Sequence, residues 1–280
     1  MNKPKISIVT PSFNQGMFLE ETIKSVLDQN YENLEYVIID GGSTDNSLDI
    51  IKKYEHKLHK WISEEDEGHG HALNKGFSYT TGDIMAWINS DDKYTPWSFR
   101  SVAEIFTQFP HVTWISGFNT LWSSTGAMIS VNRRPKNIYD YLLGKFEWIQ
   151  QESVFWRRSL WEKAGGYINQ QYSLMVDGEL WTRFFLHADL YSVDCVLAGY
   201  RMHPANRAHM NYDDCIMEMK QAIEVMRKNC PQNIINNFNS LISNTNPELV
   251  KSVLLNANYK NIAFSQEKWM ERRLPFRKFR

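Results

Sequence analysis

The apolar run Ile84-Met85-Ala86-Trp87-Ile88 continues through Asn89-Ser90 into two adjacent carboxylates, Asp91 and Asp92. An α/β sheet places acids in this way at the carboxyl end of a buried strand, where ligands bind. Hard oxygen ligands there suit a Mg²⁺ or Mn²⁺ ion held against a substrate diphosphate. An Asp-rich turn that caps the next helix accounts for the same residues. A further acid, Asp40, ends another apolar run, Leu34 to Ile39, just before Gly41-Gly42. Carboxylates bind a nucleotide diphosphate poorly unless a cation intervenes, so acids at two strand ends imply a metal-dependent nucleotide site. No GxGxxG occurs, which disfavours a dinucleotide oxidoreductase.

The elements that must hold these acids follow from the apolar pattern. Lys5 to Thr10, Leu34 to Asp40, Trp61 to Ser63 and Ile84 to Ile88 read as strands. Helical stripes lie between them, from Met17 to Gln29, about Asn46 to Tyr54, and His71 to Tyr79. Strands that are almost continuously apolar and alternate with helices predict a mostly parallel sheet covered on both faces. Further on, Trp97 to Phe109, Ser159 to Lys163, Gly178 to Leu186 and Asp213 to Lys228 read as helices. Val112 to Phe118 and Leu190 to Val196 read as strands. Segment 119–150 has no clear period, and residues 231–280 read as helical, polar and Asn-rich.

The 280 residues carry a formal net charge of −1, which argues against a dedicated nucleic-acid binder. Ten Trp exceed the needs of an ordinary core and also fit sugar-stacking platforms. Cys195, Cys215 and Cys230 have no CxxC spacing, so reduced thiols, a cytoplasmic location and no zinc site are expected. No stretch of about 20 apolar residues could span a bilayer.

Several short motifs occur in order: Thr10-Pro11-Ser12-Phe13-Asn14, Ile39-Asp40-Gly41-Gly42-Ser43-Thr44-Asp45, Asn74-Lys75-Gly76, Thr81-Gly82-Asp83 and Asn89-Ser90-Asp91-Asp92. They continue through Gln151-Glu152-Ser153-Val154-Phe155-Trp156-Arg157, Gly165-Gly166-Tyr167, Asp177-Gly178-Glu179-Leu180-Trp181 and Tyr200-Arg201-Met202-His203-Pro204. Over roughly residues 5–205 the chain resembles the family 2 glycosyltransferases, which have the GT-A, Rossmann-like nucleotide-sugar fold. The resemblance implies that Thr10 and Ser12 touch the nucleoside and that Asp40 faces the base or ribose. A turn role satisfying backbone N–H groups is the alternative for Asp40. Many members have a second Asp where Gly41 stands, so the donor is left open between a UDP-sugar and a GDP-sugar. Asp91 is implied to face the ribose and metal shell, with Asp92 the direct ligand. Asn89 replaces a common Asp and brings no charge. His203 resembles the late His that completes the metal shell, although a lone His is often structural. Arg201 could instead neutralise phosphate charge.

The segment Gly68 to Gly76 is expected to cross the donor groove. Asn74 and Lys75 are candidates for the pyrophosphate or for local capping. His69 and His71, at i and i+2, share no helix face and read as phosphate or sugar contacts rather than as a metal pair. Asp177 matches the acid that deprotonates the acceptor hydroxyl in inverting members, and a helix N-cap is its alternative. Glu179 is the second candidate for base.

Together these point to a metal-dependent inverting glycosyltransferase acting on a saccharide or lipid-linked saccharide acceptor, in a setting such as surface polysaccharide assembly. A nucleotidyltransferase is the alternative, but the loop Pro11 to Gly16 lacks the basic residues a triphosphate asks for. A non-catalytic saccharide-binding module would not need Asp91, Asp92 and Asp177 together. The expected division is a catalytic domain over 1–210, with a nucleotide-sugar half to about 110 and an acceptor half beyond it. A helical extension over 211–280 follows. Its basic aromatic end, Lys268 to Arg280, suits either peripheral contact with the inner face of a membrane or a solvated terminus.

Overall fold

The computed structural model describes residues 3–144 and 148–272. In chain order the first half comprises β1 (Ile6–Ser12), α1 (Gly16–Leu27), β2 (Leu34–Asp40), α2 (Ser47–Tyr54), β3 (Lys60–Ser63), α3 (His69–Ser78), β4 (Ile84–Trp87), β5 (Lys93–Tyr94), α4 (Ser98–Gln108), β6 (Trp114–Ser116), β7 (Asn119–Trp122), β8 (Met128–Asn132) and α5 (Ile138–Leu143). The second comprises β9 (Val154–Arg157), α6 (Arg158–Lys163), α7 (Val176–Phe185), β10 (Tyr191–Val193), β11 (Ala198–Arg201), α8 (Arg207–Met210), α9 (Tyr212–Asn229), α10 (Gln232–Ser243), α11 (Val250–Ala257), β12 (Lys260–Ser265) and β13 (Lys268–Arg272).

Among the described residues, nine strands form one sheet in the order β13-β12-β10-β6-β9-β4-β1-β2-β3. β4, β1, β2 and β3 run parallel, as their unbroken apolar sequences require. All seven residues of β1 are buried, because it has a strand on each side and helices over its faces. Its register pairs Ser12 with Asp40, so two strands end side by side. β9 lies antiparallel between β4 and β6, a reversal that the apolar run Val-Phe-Trp does not announce. A smaller sheet, β5-β11-β7-β8, takes β7 and β8 from the segment that had no legible period.

The chain departs from the expected helical end. Helices continue after residue 211 as far as Ala257, but β12 and β13 then form a hairpin and β12 joins the main sheet beside β10. Within that hairpin Trp269 is buried, its indole N–H donates to Glu104 Oε2 at 3.0 Å, and its carbonyl accepts from Gln108. Trp269 is therefore a packing residue against α4 and not a membrane anchor. Residues 273–280 of the basic end lie outside the described residues. No helix among the described residues is long and apolar enough to cross a membrane.

The tryptophans mostly fill the interior. Trp87, Trp114, Trp122, Trp156, Trp161, Trp181 and Trp269 are buried, which accounts for seven of the ten. Trp87 stacks on Trp181 at 5.7 Å and meets Trp156 edge-on at 5.6 Å, tying β4, β9 and α7 into one aromatic layer under the acids.

Helix α3 reaches the sheet through Gly76. A Cβ there would come within 2.4 Å of Val9 Cγ1 and 3.3 Å of Ile39 Cγ1. Gly76→Ala should push α3 off β1 and β2 and lower stability by about 1–3 kcal/mol, as overpacking does. Urea denaturation of the variant checks this; an unchanged midpoint would show that α3 is not seated so closely.

Candidate active site

At the ends of β1 and β2 the two following loops are laced together. Asn14 has φ of 53°, a left-handed conformation that Asn tolerates, and its Oδ1 accepts from Thr44 N at 2.8 Å. Ser43 Oγ accepts from Asn14 N at 2.7 Å. Asp45 accepts from Gly16 N at the start of α1 and from Ser47 N at the start of α2. Asp45 is thus a helix-start residue for two helices at once.

Asp40 is fully buried, and its carboxylate accepts from Ser43 N (3.0 Å), Ser43 Oγ (2.5 Å) and Ser63 Oγ (2.7 Å). These bonds give it the turn role. Thr10 is also fully buried and pairs with Tyr36 Oη at 3.0 Å, so it faces the interior and not a ligand. Ser12 differs, since its buried hydroxyl has no hydrogen-bonding partner. Beside it, Asp66 fills the space that a side chain at position 41 would take, with its Oδ2 2.8 Å from where a Gly41 Cβ would stand. The acid absent at Gly41 is thereby replaced in space by one 25 positions later, which the sequence motif alone does not reveal.

The paired acids after β4 point in different directions. Asp91 Oδ2 lies 3.0 Å from His203 Nε2. Asp92 turns inward and is fully buried; its Oδ1 accepts from Arg201 N at 2.7 Å. Burial raises the Asp92 carboxyl well above the usual range, and the Glu152 and Asp91 charges push it the same way. The resemblance implied Asp92 as the direct metal ligand; in the fold it is Asp91 that meets the histidine. Arg201 is 1% exposed and committed to the protein, donating from Nε to Asp91 O (2.5 Å), from Nη1 to Ser124 O (3.3 Å) and from Nη2 to Glu21 Oε2 (2.5 Å). It is not placed to neutralise a phosphate. His203 packs against Phe18 with the rings tilted, centroids 4.7 Å apart.

Asn74 and Lys75 lie away from this centre. Asn74 brackets the backbone of Ile168, donating to its carbonyl and accepting from its N–H. Lys75 is paired with Glu64. His69, the first residue of α3, does point toward the acids, with Nε2 3.1 Å from Asn89 Oδ1. Burial lowers its imidazole to about 4, so it is neutral at physiological pH.

A cavity of 490 Å³ connects His69 and Asn89 to Asp177. Its walls include His69, Asn89, Gln151, Glu152, Trp148 and Tyr212. Asp177 lies in the first turn of α7, open to the cavity and otherwise surrounded by protein. That burial raises its carboxyl to about 6, and Glu218 adds to the rise. Glu218 also accepts from the N–H groups of Ser173, Leu174 and Met175, fixing the approach to α7. Asp177 therefore has no need to serve as the cap. Glu179 points elsewhere and is bound by Arg183 at 2.8 Å, which removes it as a base.

Residues 7–174 match the model of the family described as glycosyl transferase family 2, more than half of the 280-residue chain. The chain belongs to glycosyl transferase family 2. Among curated family relatives, TuaG of Bacillus subtilis, described as a putative teichuronic acid biosynthesis glycosyltransferase, is 39% identical over 95 residues, covering 33% of this chain and 38% of TuaG. An uncharacterized glycosyltransferase of Mycobacterium tuberculosis is 28% identical over 203 residues, 70% of this chain and 75% of that one. The match to TuaG thus spans little more than a third of its length, and a Nostoc relative is covered over 33%. In fold, the chain superposes on S. aureus TarS 1–349 in complex with UDP-GlcNAc with a TM-score of 0.65 at 17% identity, over 89% of this chain and 70% of TarS 1–349. The mannosyltransferase PcManGT of Pyrobaculum calidifontis, in complex with GDP-Man and Mn²⁺, gives 0.57 at 18% identity over 91% and 69%. This family 2 chain thus has the GT-A fold.

Two of its acids were not assignable from sequence. Asp66 needed the turn that brings it to Gly41, and Glu152 needed the 3₁₀ turn that aims it at Asp92. Arg201 is the buried cation beside Asp91 and Asp92, its guanidinium paired with Glu21. Arg201→Lys keeps the charge but cannot reach Asp91 O, Ser124 O and Glu21 together. It should lower stability by about 1–3 kcal/mol through unmet buried groups. Calorimetric unfolding of the variant checks the value, and a full-strength Tm would show that lysine suffices.

Proposed function

We propose that the chain transfers a sugar from a nucleotide diphosphate donor to a saccharide hydroxyl, in one displacement that inverts the anomeric carbon. The observation that carries this is a cavity lined by His69, by Asn89, two positions before the His203-paired Asp91, and by a base-like carboxylate at Asp177. Support also comes from the neighbours, of which TarS is described with UDP-GlcNAc and PcManGT with GDP-Man and Mn²⁺. TuaG's description favours an acceptor in a surface polysaccharide, free or lipid-linked.

Asp91 and His203 fit a divalent cation. A carboxylate and an imidazole face each other, and a Mg²⁺- or Mn²⁺-type shell is commonly completed by substrate phosphates rather than by further side chains. Among the described residues no three His, Cys, Asp or Glu are grouped so as to hold a metal ion by themselves. When bound, the cation offsets the charge that grows on the departing diphosphate. Ser12 and Asp66 are the residues to meet the nucleoside, at the mouth between β1 and β2. UDP and GDP are the two donor classes to test. In domain terms, residues to about 110 hold the donor and residues from 111 to 210 supply the base and acceptor side.

Asp177 takes the proton from the acceptor hydroxyl as that oxygen attacks. With its carboxyl near 6, it is mostly ionised at pH 7 yet basic enough to accept a proton. The rate should therefore fall about tenfold per pH unit below 6. Asp177→Asn should cost about 10²–10⁴-fold in turnover. A carboxyl raised on folding favours the fold when protonated, below its unfolded value of 3.8, and that benefit is lost as pH rises through about 6. The Asn variant should therefore also have a higher Tm at pH 7.5 than the native chain, an advantage that fades below pH 4. Turnover and melting curves across pH check both; retained turnover would remove Asp177 from the role of base.

Asp91→Ala should abolish the Mn²⁺-dependent part of the thermal shift given by UDP or GDP. Asp92→Asn should leave most of that shift and change the melting point itself. The opposite pattern would return Asp92 to the metal.

A further inference from the structure

We infer that Gln151 and Glu152 form the subsite that reads the hydroxyls of the sugar being transferred, a role that rests on the transferase function proposed above. Both lie on one turn of 3₁₀ helix, Gln151–Ser153, immediately before β9. They are 5% and 4% exposed, and both line the 490 Å³ cavity. Gln151 Oε1 and Glu152 Oε2 are buried without a hydrogen-bonding partner. Buried acceptors in native proteins are almost always paired, so two neighbouring orphans in one cavity wall mark a place where a ligand supplies the donors.

The other end of the Gln151 side chain is fixed. Gln151 Nε2 donates to Trp87 O at 2.6 Å, at the end of β4. The Glu152 carboxyl sits close to that of Asp92, and its charge raises the Asp92 carboxyl further. Gln151 cannot turn away to satisfy its free oxygen without breaking its bond to Trp87. Trp87 also lines the cavity and has an unpaired indole N–H. Trp156 and Trp181 carry the same orphan group in the core and do not line the cavity, so the indole is at most an accessory.

Position selects the ligand. Glu152 is within electrostatic reach of Asp91 on the donor side and of Asp177 on the base side. A group between the diphosphate and the acceptor hydroxyl is the transferred pyranose. Two oxygen acceptors side by side ask for O–H donors on neighbouring ring carbons, in one stereochemistry. An epimer leaves an acceptor unpaired, which is how a buried polar site rejects an analogue.

The test is a titration, with Mn²⁺ present, of the native chain and of Glu152→Gln and Gln151→Met. The ligands are UDP, GDP, UDP-glucose and UDP-galactose, UDP-GlcNAc and UDP-GalNAc, and GDP-mannose and GDP-glucose. The native chain should bind one member of an epimer pair about tenfold or more tightly than the other. In each variant that pair should come within about twofold, while affinity for the bare nucleotide is unchanged. Gln151→Met serves where Glu152→Gln fails to fold. An epimer preference that survives in the variants would overturn the inference, as would a native chain with no preference. Equal loss for sugars and bare nucleotide would also overturn it, since that is the mark of a merely structural role. No nucleotide binding by the native chain would instead overturn the transferase function, and the inference with it.

Discussion

The carboxyl groups of Asp91, Asp92 and Asp177 all lie within electrostatic reach of the buried carboxyl of Glu152, and the surrounding structure answers that electrostatic cost. Charges in so dry a place repel one another and miss their water. The fold responds in three ways. Arg201 donates its backbone N–H to the Asp92 carboxylate, while its buried guanidinium bonds the Asp91 carbonyl and is paired with Glu21. Asp92 and Glu152 lie in contact, with the Glu152 carboxyl raised by burial to about 7, so a proton shared between them removes one charge. Asp177 is kept at the far side of the cavity, where burial raises it only to about 6. The result is a graded set of acids, not a uniform one, and each position in the gradient suits a different task.

Such a set has to be held rigidly, because a shift of a few tenths of an ångström would exchange repulsion for collapse. The parallel strands provide the first constraint, since β1 and β2 end together at Ser12 and Asp40 and β4 is laddered to β1 as far as Val9. The laced loops at Asn14, Ser43, Thr44 and Asp45 provide the second. The Trp layer beneath β4 and α7 provides the third, since Trp87 and Trp181 stack across the gap between the donor side and Asp177. Motif residues that look like ligand contacts in the sequence thus divide into two groups. Some meet the cavity, and others hold the strand ends in register.

That division explains how much was legible. Strand ends carrying acids could be read, because a buried strand must be apolar until it meets the ligand face. The helix that begins around Asp177 could be read from its pattern. Side-chain direction after a strand could not be read, because the alternation that aims side chains stops at the turn; only the structure shows that Asp91, and not Asp92, faces His203. Asn74 shows a related limit. Its amide is chemically suited to a phosphate, but it brackets the backbone of Ile168, a partner 94 positions away. β9 is apolar like its parallel neighbours, and periodicity carries no information about strand direction. The β12–β13 hairpin was hidden for another reason: only Trp269 and a few residues of β12 are buried, so its short apolar signal is lost among polar residues.

The reversal at β9 has a consequence for chemistry. A strand running parallel at that place would present the 3₁₀ turn of Gln151 and Glu152 at the opposite edge of the sheet, away from the ends of β1, β2 and β4. Running antiparallel, β9 starts at the level where β4 ends, and its entry turn arrives beside Trp87 and Asp92. One strand reversal therefore brings residues from the second half of the chain onto the ligand face of the first. The same entry turn lies next to β11 through Ser153, whose hydroxyl donates to Ala198 O at 3.1 Å. β11 in turn ends in Arg201 and leads to His203. The donor-side acids, the inner carboxyl pair and the late histidine thus meet because two strands from the second half deliver them to a single point on the sheet.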